Sequence, residues 1–336
     1  MKAVSMVMQA KAEPVVTVVT PVYNGAKYLA QCIESVLAQT YQNWEYLIVN
    51  NCSTDDSLEV AQRYVQQDGR IRVSNNDSFV TMPENHNIAF RQICPDSKYC
   101  KVLHADDWLF PECLTQMVRL AEANPTVGIV GAYGLCDDKV RWDGLSYCET
   151  VVSGREICRR TLRGGFYVFG SPTSLLIRSD LIRTQGACYS DEKFLTQYAD
   201  QDACYRLLRH CDFGFVHQVL TYSRDHEASL TSALTRLNAA LPAQLIVLLK
   251  YGPIYLEPRE YETRLEEITQ RYYRFLAQSV FFRHGDKAFW NYHREALRHL
   301  NRPLSLAQLG KSAFSEIMDT VCNPFRMAGK VLGLRS

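Results

Sequence analysis

Apolar runs and helical spacings alternate over the first 135 positions of the chain. VVTVVTPVY (Val15–Tyr23) is a continuous β-branched run that closes just past a Pro, which predicts a strand buried on both faces of a parallel sheet. In NGAKYLAQCIESVLAQ, the residues Tyr28, Leu29, Cys32, Ile33, Val36 and Leu37 fall on one face of a helix. EYLIVN (Glu45–Asn50) predicts a second strand. STDDSLEVAQRYVQQ predicts a second helix, with Ser53 or Thr54 as N-cap and two acids in its first turn. RIRVS follows as a short third strand, PENHNIAFRQI as a helix opened by Pro, and YCKVLH as a fourth strand. PECLTQMVRLAEANP lies between two prolines as another helix, and VGIVGAYGL is a fifth strand.

This βαβαβαβαβ order predicts an α/β fold, a mostly parallel, right-handed, Rossmann-type sheet flanked by helices. Ligands of such sheets sit at the carboxyl ends of the strands. PVYNG, NNCSTDD and HADDW stand at three of those ends and should share one rim. Beyond residue 135 the pattern becomes mixed. GREICRRTLRGG suits a helix, SPTSLLIRSDLI a strand and a turn, YADQDACYRLLRHC a helix from Asp200, and FGFVHQVLTYSRDH a strand leading into a polar loop. From residue 232 the spacing is all helical, with a hairpin-like Gly break after VFFRHG. The expected organisation is a tail over 1–13, an α/β domain over 14–231 with halves 14–135 and 136–231, and a helical region over 232–336.

The net charge of +1 carries no footprint for nucleic acid, which is excluded as a partner. The 12 Cys are scattered and form no CxxC pair, so they read as small buried hydrophobes in a reducing cytosol. The N-terminus is a weak secretory signal, and no apolar run reaches the roughly 18 residues a spanning helix requires. These features predict a cytoplasmic protein. The C-terminal helices, with Arg326, Lys330 and Arg335 in a mildly amphipathic tail, are where peripheral contact with the inner face of a plasma membrane would fall.

Four groups carry candidate chemistry. Asp106 and Asp107 stand side by side at a strand end, where a carboxylate suits a hard divalent cation; Asp107 could equally cap the next helix or pair with an Arg. Asn50 and Asn51 offer donor and acceptor to a base or ribose edge, or simply make a turn. Asp200 and Asp202 precede an apolar helix, as caps or with one as a general base. Arg224 and His226 suit phosphate or metal contacts in a polar loop. GIVGAYG is GxxGxxG inside a strand and not a dinucleotide fingerprint, and there is neither a P-loop nor a GxSxG elbow.

In order and spacing, VTVVTPVYNGAKYLAQCIESVLAQTYQNWEYLIVNNCSTDDS, HADDW…P, YADQDACYRLL and SRDHEASLT together resemble the family 2 glycosyltransferases of GT-A fold, over roughly residues 14–232. The resemblance implies that Pro21, Val22 and Tyr23 line the nucleotide pocket. Asn50 and Asn51 stand where the family usually has acids that meet the uracil and ribose. Asp106 falls on the position that ligates Mn2+ or Mg2+, with Asp107 and His226 as further ligand candidates. His104, followed by Ala105, replaces the acid that usually touches the ribose. Asp200 falls on the base position with Asp202 as a supporting acid, and Arg224 and His226 match the loop that closes over the diphosphate. The implied activity is metal-assisted, inverting transfer from a nucleoside diphosphate sugar, a UDP-sugar first, to a glycan or lipid-linked acceptor in surface polysaccharide or glycoconjugate synthesis. Two competitors stand beside it. A sugar nucleotidyltransferase would need a Gly-rich basic loop after the first strand, which PVYNGAKY lacks. A non-catalytic scaffold would fit the substitutions at Asn50, Asn51 and His104, but not the retained acids.

Overall fold

The structure, a computed structural model, describes residues 13–141, 144–224 and 237–322. In the first half β1 (Val15–Val22), α1 (Ala26–Leu37), β2 (Trp44–Asn50), α2 (Ser57–Gln67), β3 (Ile71–Asn75), α3 (Met82–Arg91) and β4 (Ser97–Val102) alternate. β5 (Trp108–Leu109), α4 (Cys113–Ala123), β6 (Val127–Cys136) and β7 (Lys139–Arg141) follow. After them come β8 (Val151–Val152), α5 (Gly154–Arg163), β9 (Leu175–Arg178), α6 (Ser179–Arg183), α7 (Ala199–Leu207) and β10 (Asp212–Tyr222).

The described strands form one ten-stranded sheet in the order β3-β2-β1-β4-β9-β6-β10-β5, with β7 on β6 and β8 on β10. β3, β2, β1 and β4 are mutually parallel, as are β6 and β10. β9 runs antiparallel between β4 and β6, so both halves of the sheet point their carboxyl ends the same way. The one-rim expectation holds for β1, β2 and β4, where Val22 lies opposite Asn50 and Val19 opposite Val102. The two-residue β5 pairs with the end of β10, placing Trp108 opposite Tyr222. That pairing delivers the chain after β10 to the acidic pair.

The core beneath the rim is apolar because both sheet faces are covered. Val16, Val18 and Ile48 are fully buried against Leu29, Cys32, Ile33 and Val36 of α1 and Leu114 and Met117 of α4. Each such Leu or Ile stabilises the fold by about 1.5–3 kcal/mol, so the rim rests on a stiff base. The expected cap of α2 is corrected: α2 begins at Ser57 after Asp56, with no side-chain cap bond from Ser53 or Thr54. The side chains of the STDDS stretch instead serve the neighbouring loop. Ser53 accepts from the Asn24 N–H, Asp55 from the Ala26 N–H and Ser57 from the Gly25 N–H. Those are the orphan donors at the start of α1, satisfied from the next βα unit.

The described residues divide into two compact units. One holds the sheet: residues up to 161, 165–191 and 199–224. The other holds 162–164, 192–198 and the C-terminal helices. These helices are α8 (Ala240–Tyr255), α9 (Pro258–Phe282), α10 (Lys287–His299) and α11 (Leu306–Cys322). Among the described residues no helix is long and apolar enough to cross a membrane.

Candidate active site

The β1–α1 turn places Tyr23 at the mouth of the rim, half exposed, with its ring edge-on to Phe79 at 4.8 Å between centroids. Pro21 and Val22 end β1 beneath it, and the Val22 carbonyl accepts from the Asn51 N–H at 2.8 Å. The two asparagines are buried and engaged within the chain. Asn51 Oδ1 accepts from the Val80 N–H and Asn76 Nδ2, and its Nδ2 donates to the Val80 carbonyl. Asn50 Nδ2 donates to Asn75 Oδ1, and its Oδ1 accepts from the Ser53 N–H. They brace the loop after β3 against the end of β2.

The acidic pair splits. Asp107 is 5% exposed. Its Oδ2 accepts from the Thr173 hydroxyl at 2.6 Å and the Ser223 hydroxyl at 3.3 Å, and its Oδ1 from the Arg224 N–H at 3.0 Å. Burial pushes this carboxyl above its usual range, while His104 and the hydrogen bonds pull the other way. Asp106 stays half-buried at the surface of the rim, beside Ala105. Arg224 reaches the same place: its Nε donates to the Asp106 carbonyl at 3.2 Å, and its guanidinium lies 4.2 Å over the Tyr28 ring. A ring nitrogen of His104 and carboxylate oxygens of Asp106 and Asp107 lie within 4.8 Å of one another. The Asp107 oxygens accept from three internal donors, while Asp106 lies at the surface of the rim. This set fits an oxygen-preferring divalent cation.

The opposite wall comes from α3 and α7. Asn87 clamps the Tyr189 backbone with a pair of 2.8 Å bonds, its Nδ2 to the Tyr189 carbonyl and its Oδ1 from the Tyr189 N–H. Tyr189 stacks on His86, whose Nε2 lies 3.3 Å from His104 Nε2. Burial pushes His86 down to about 3. Asp200 stands in the first turn of α7, half-buried by its exposed surface. Desolvation raises its carboxyl to about 6, against its own helix-start N–H groups and the nearby His104, which lower it. Asp202, two residues on, points away from solvent and is fully buried. His226 lies outside the described residues.

Residues 17–184, half of the chain, match the family model of Glycosyl transferase family 2. The chain belongs to this family. Among its relatives, it is 29% identical over 199 residues to Glycosyltransferase GlyG of Streptococcus pneumoniae serotype 4, covering 54% of this chain but under two thirds, 64%, of GlyG. It is 27% identical over 245 residues to the Putative glycosyltransferase EpsE of Bacillus subtilis, covering 68% of this chain and 84% of EpsE. In three dimensions the fold is similar to S. aureus TarS 1–349 in complex with UDP, at TM-score 0.60 and 16% identity over 84% of this chain and 79% of that one. It is also similar to the mannosyltransferase PcManGT of Pyrobaculum calidifontis in complex with GDP-Man and Mn2+, at TM-score 0.52 and 15% identity over 95% and 84%.

In this member of Glycosyl transferase family 2 the fold brings His104, Asp106, Asp107 and Arg224 together at one strand end, with Asp200 close enough to feel His104. Four supporting residues were not evident from the sequence pattern. Lys101 is fully buried and donates to the Thr173 carbonyl at 2.6 Å, and Thr173 in turn accepts from the His104 N–H at 3.2 Å. Burial pulls the Lys101 amine below its usual range. Thr173, His86 and Asn87 are the others. The signal available for His86 and Asn87 was two polar residues on the buried face of an amphipathic helix, a position where a polar group needs a partner.

Proposed function

We propose that this family 2 glycosyltransferase moves a sugar from a nucleoside diphosphate sugar, a UDP-sugar in our reading, to a hydroxyl of a glycan or lipid-linked acceptor with inversion. A role in surface polysaccharide or glycoconjugate synthesis goes with that acceptor class. The observation that carries the reading is the shared rim: a half-buried acid, an Arg over an aromatic ring, and a second carboxyl raised to about 6. GlyG and EpsE are named as glycosyltransferases, and TarS and PcManGT are named in complex with UDP and GDP-Man, in line with that reading.

Asp106, with His104 beside it, would hold Mn2+ or Mg2+. When bound, such an ion neutralises charge on the departing diphosphate. The Arg224 guanidinium supplies positive charge to the same oxygens, and Tyr23 lines the nucleotide side. Because Asn50 and Asn51 are committed to the chain, they hold the wall of the base pocket and read the base through backbone position. Asp200 takes the proton of the acceptor hydroxyl as its oxygen attacks the anomeric carbon. The bond from that carbon to the diphosphate oxygen breaks, and its electron pair leaves with the diphosphate. At neutral pH about nine in ten Asp200 side chains with a pKa near 6 are ionised and competent to accept. One base and direct attack give inversion through an oxocarbenium-like transition state.

The test is hydrolysis and transfer across a panel of nucleotide sugars with Mn2+, repeated with Asp106→Asn and Asp200→Asn. Loss in both variants with folding retained is expected. Full activity in either removes that residue from its role, and diphosphate release from UTP and a sugar phosphate would replace the reading with nucleotidyl transfer.

A further inference from the structure

Arg224 is held at the rim by three side chains that the mechanism above does not use. Tyr28 and Gln31 stand on α1 at helical i, i+3 spacing and share one face of it. Gln31 Oε1 accepts from Arg224 Nη2 at 2.8 Å, and the Arg224 guanidinium lies 4.2 Å from the centroid of the Tyr28 ring. A second ring, Trp108, meets the same guanidinium at 5.2 Å. Trp108 is itself fixed: β5 sets it opposite Tyr222 of β10, and the two rings stack at 3.6 Å with 7° between their planes. Both rings lie within the roughly 6 Å over which an aromatic face attracts a cation. An arginine side chain is long and rich in rotamers, and on an open rim its charge would be spread over many positions. Here two rings and two acceptors confine it, since Nη2 donates to Gln31 and Nε to the Asp106 carbonyl. Among the described residues Nη1 has no hydrogen-bond partner, so both of its N–H groups remain for an outside acceptor. The charge itself depends on no titration, because a guanidinium stays protonated at any working pH.

We propose that Tyr28, Gln31 and Trp108 are positioning residues that hold the Arg224 guanidinium ready for the diphosphate of the bound donor. The inference rests on the rim being the nucleotide-sugar site. The cost of ordering the side chain is met by the fold before the ligand arrives, so more of the contact appears as affinity. The bracket also joins parts of the chain that are far apart in sequence. The α1 face supplies one ring and the amide, and β5 supplies the other ring through its pairing with β10. Planarity is what the bracket uses: a guanidinium can lie on a ring and still donate along its edge, which a compact ammonium cannot do.

The experiment is a set of double-mutant cycles on the full chain. Calorimetry measures UDP and GDP, each with Mn2+, and the tighter of the two is carried through the variants. Arg224→Ala should weaken it about 10–100-fold, as expected for lost charge-assisted hydrogen bonds. Tyr28→Leu, Gln31→Leu and Trp108→Leu should each weaken it about 3–10-fold, and Tyr28→Phe, which keeps the ring, should match wild type. Made in the Arg224→Ala chain, the same three Leu substitutions should have no further effect, because they act only through the guanidinium. The Lys27 amine also lies over the Tyr28 ring, at 4.8 Å. A Tyr28→Leu loss that persists without Arg224 would therefore trace to Lys27 or to packing, and it overturns the proposal. Wild-type affinity in Tyr28→Leu and Gln31→Leu overturns it too. If Arg224→Ala leaves the affinity unchanged, Arg224 does not meet the diphosphate, and the positioning role fails while the reading of the rim stands. If neither nucleotide binds the wild-type chain, both fail. Should Trp108→Leu not fold, the cycles on Tyr28 and on the exposed Gln31 still decide the matter.

Discussion

Replacing Asp200 with Asn should stabilise the sheet-bearing unit while it abolishes transfer. The Asp200 carboxyl is raised from 3.8 to about 6 in the fold, chiefly by desolvation. A folded pKa above the unfolded one means that the ionised group opposes folding. The penalty is absent below about pH 4, grows between about pH 4 and 6, and is complete above. Two units at about 1.4 kcal/mol each set a ceiling near 3 kcal/mol, and the partial exposure of the side chain brings the expected gain to about 1–2 kcal/mol. Asn keeps the size and an acceptor oxygen for the N–H groups at the start of α7, and it carries no charge. The assay is thermal unfolding of the wild-type and Asp200→Asn chains at about pH 4 and pH 7.5. At pH 7.5 the variant should be more stable, by a Tm shift of about 2–4 °C per kcal/mol, and at pH 4 the curves should coincide. An Asn variant that is equally or less stable at pH 7.5, or that retains turnover, refutes the account of Asp200 as a desolvated base kept at a cost in stability.

Four further outcomes are expected. In a pH profile, kcat/KM should fall about tenfold per unit below pH 6, because the free enzyme must hold Asp200 ionised; a flat profile to pH 5 would move the proton to another group. Asp106→Asn should leave thermal unfolding within about 1 °C of wild type and remove the Mn2+ enhancement of UDP binding, since its carboxylate is half-buried at the rim and outside the core; enhancement that persists in calorimetry would release Asp106 from the metal role. Thr173→Val takes a hydroxyl from Asp107 and from the His104 N–H, with an expected loss of about 1–3 kcal/mol in unfolding experiments and a fall in kcat that Thr173→Ser recovers; a neutral Val variant would sink the bracing role. Asn87→Leu removes both bonds to the Tyr189 backbone on the Asp200 side, so kcat should drop with little change in UDP affinity, and a change confined to affinity would place the clamp on the wrong wall.

The parts of the fold set by local pattern were legible. β1, β2 and β4 announced themselves as apolar runs, α1 as a one-sided helix, and the acidic pair followed a strand end as the topology requires. What escaped the sequence depends on contacts between distant segments. Thr173 reaches Asp107 across 66 positions because β9 enters the sheet antiparallel beside β4. Arg224 reaches Asp106 across 118 positions through a β5 only two residues long, too short to leave a periodicity. Ser53, Asp55 and Ser57 have the composition of a local cap, yet they satisfy donors about 30 positions earlier, and only the packing of adjacent βα units reveals it. Asn50 and Asn51 at a strand end could serve a ligand or simply make a turn, and only the structure shows their amides bonded to Asn75 and the Val80 carbonyl in the loop after β3.

The acidic pair shows how the fold handles two like charges on adjacent residues. Asp107, the member drawn inward, needs donors, and burial without them would leave a carboxylate at a penalty of several kcal/mol. The chain provides three, from two separate segments: the Thr173 hydroxyl in the turn before β9, and the Ser223 hydroxyl and Arg224 N–H just after β10. The same turn is anchored by the fully buried Lys101, whose amine donates to the Thr173 carbonyl. Asp107 is thus satisfied from inside, and in the proposed reading the cation is met by Asp106 with His104 beside it. Removing an inner donor should therefore act on the outer site indirectly. A double Ser223→Ala/Thr173→Val chain would take both hydroxyl donors from Asp107 Oδ2 and leave that oxygen to compete with Asp106, changing which carboxylate meets the ion before it changes whether one binds.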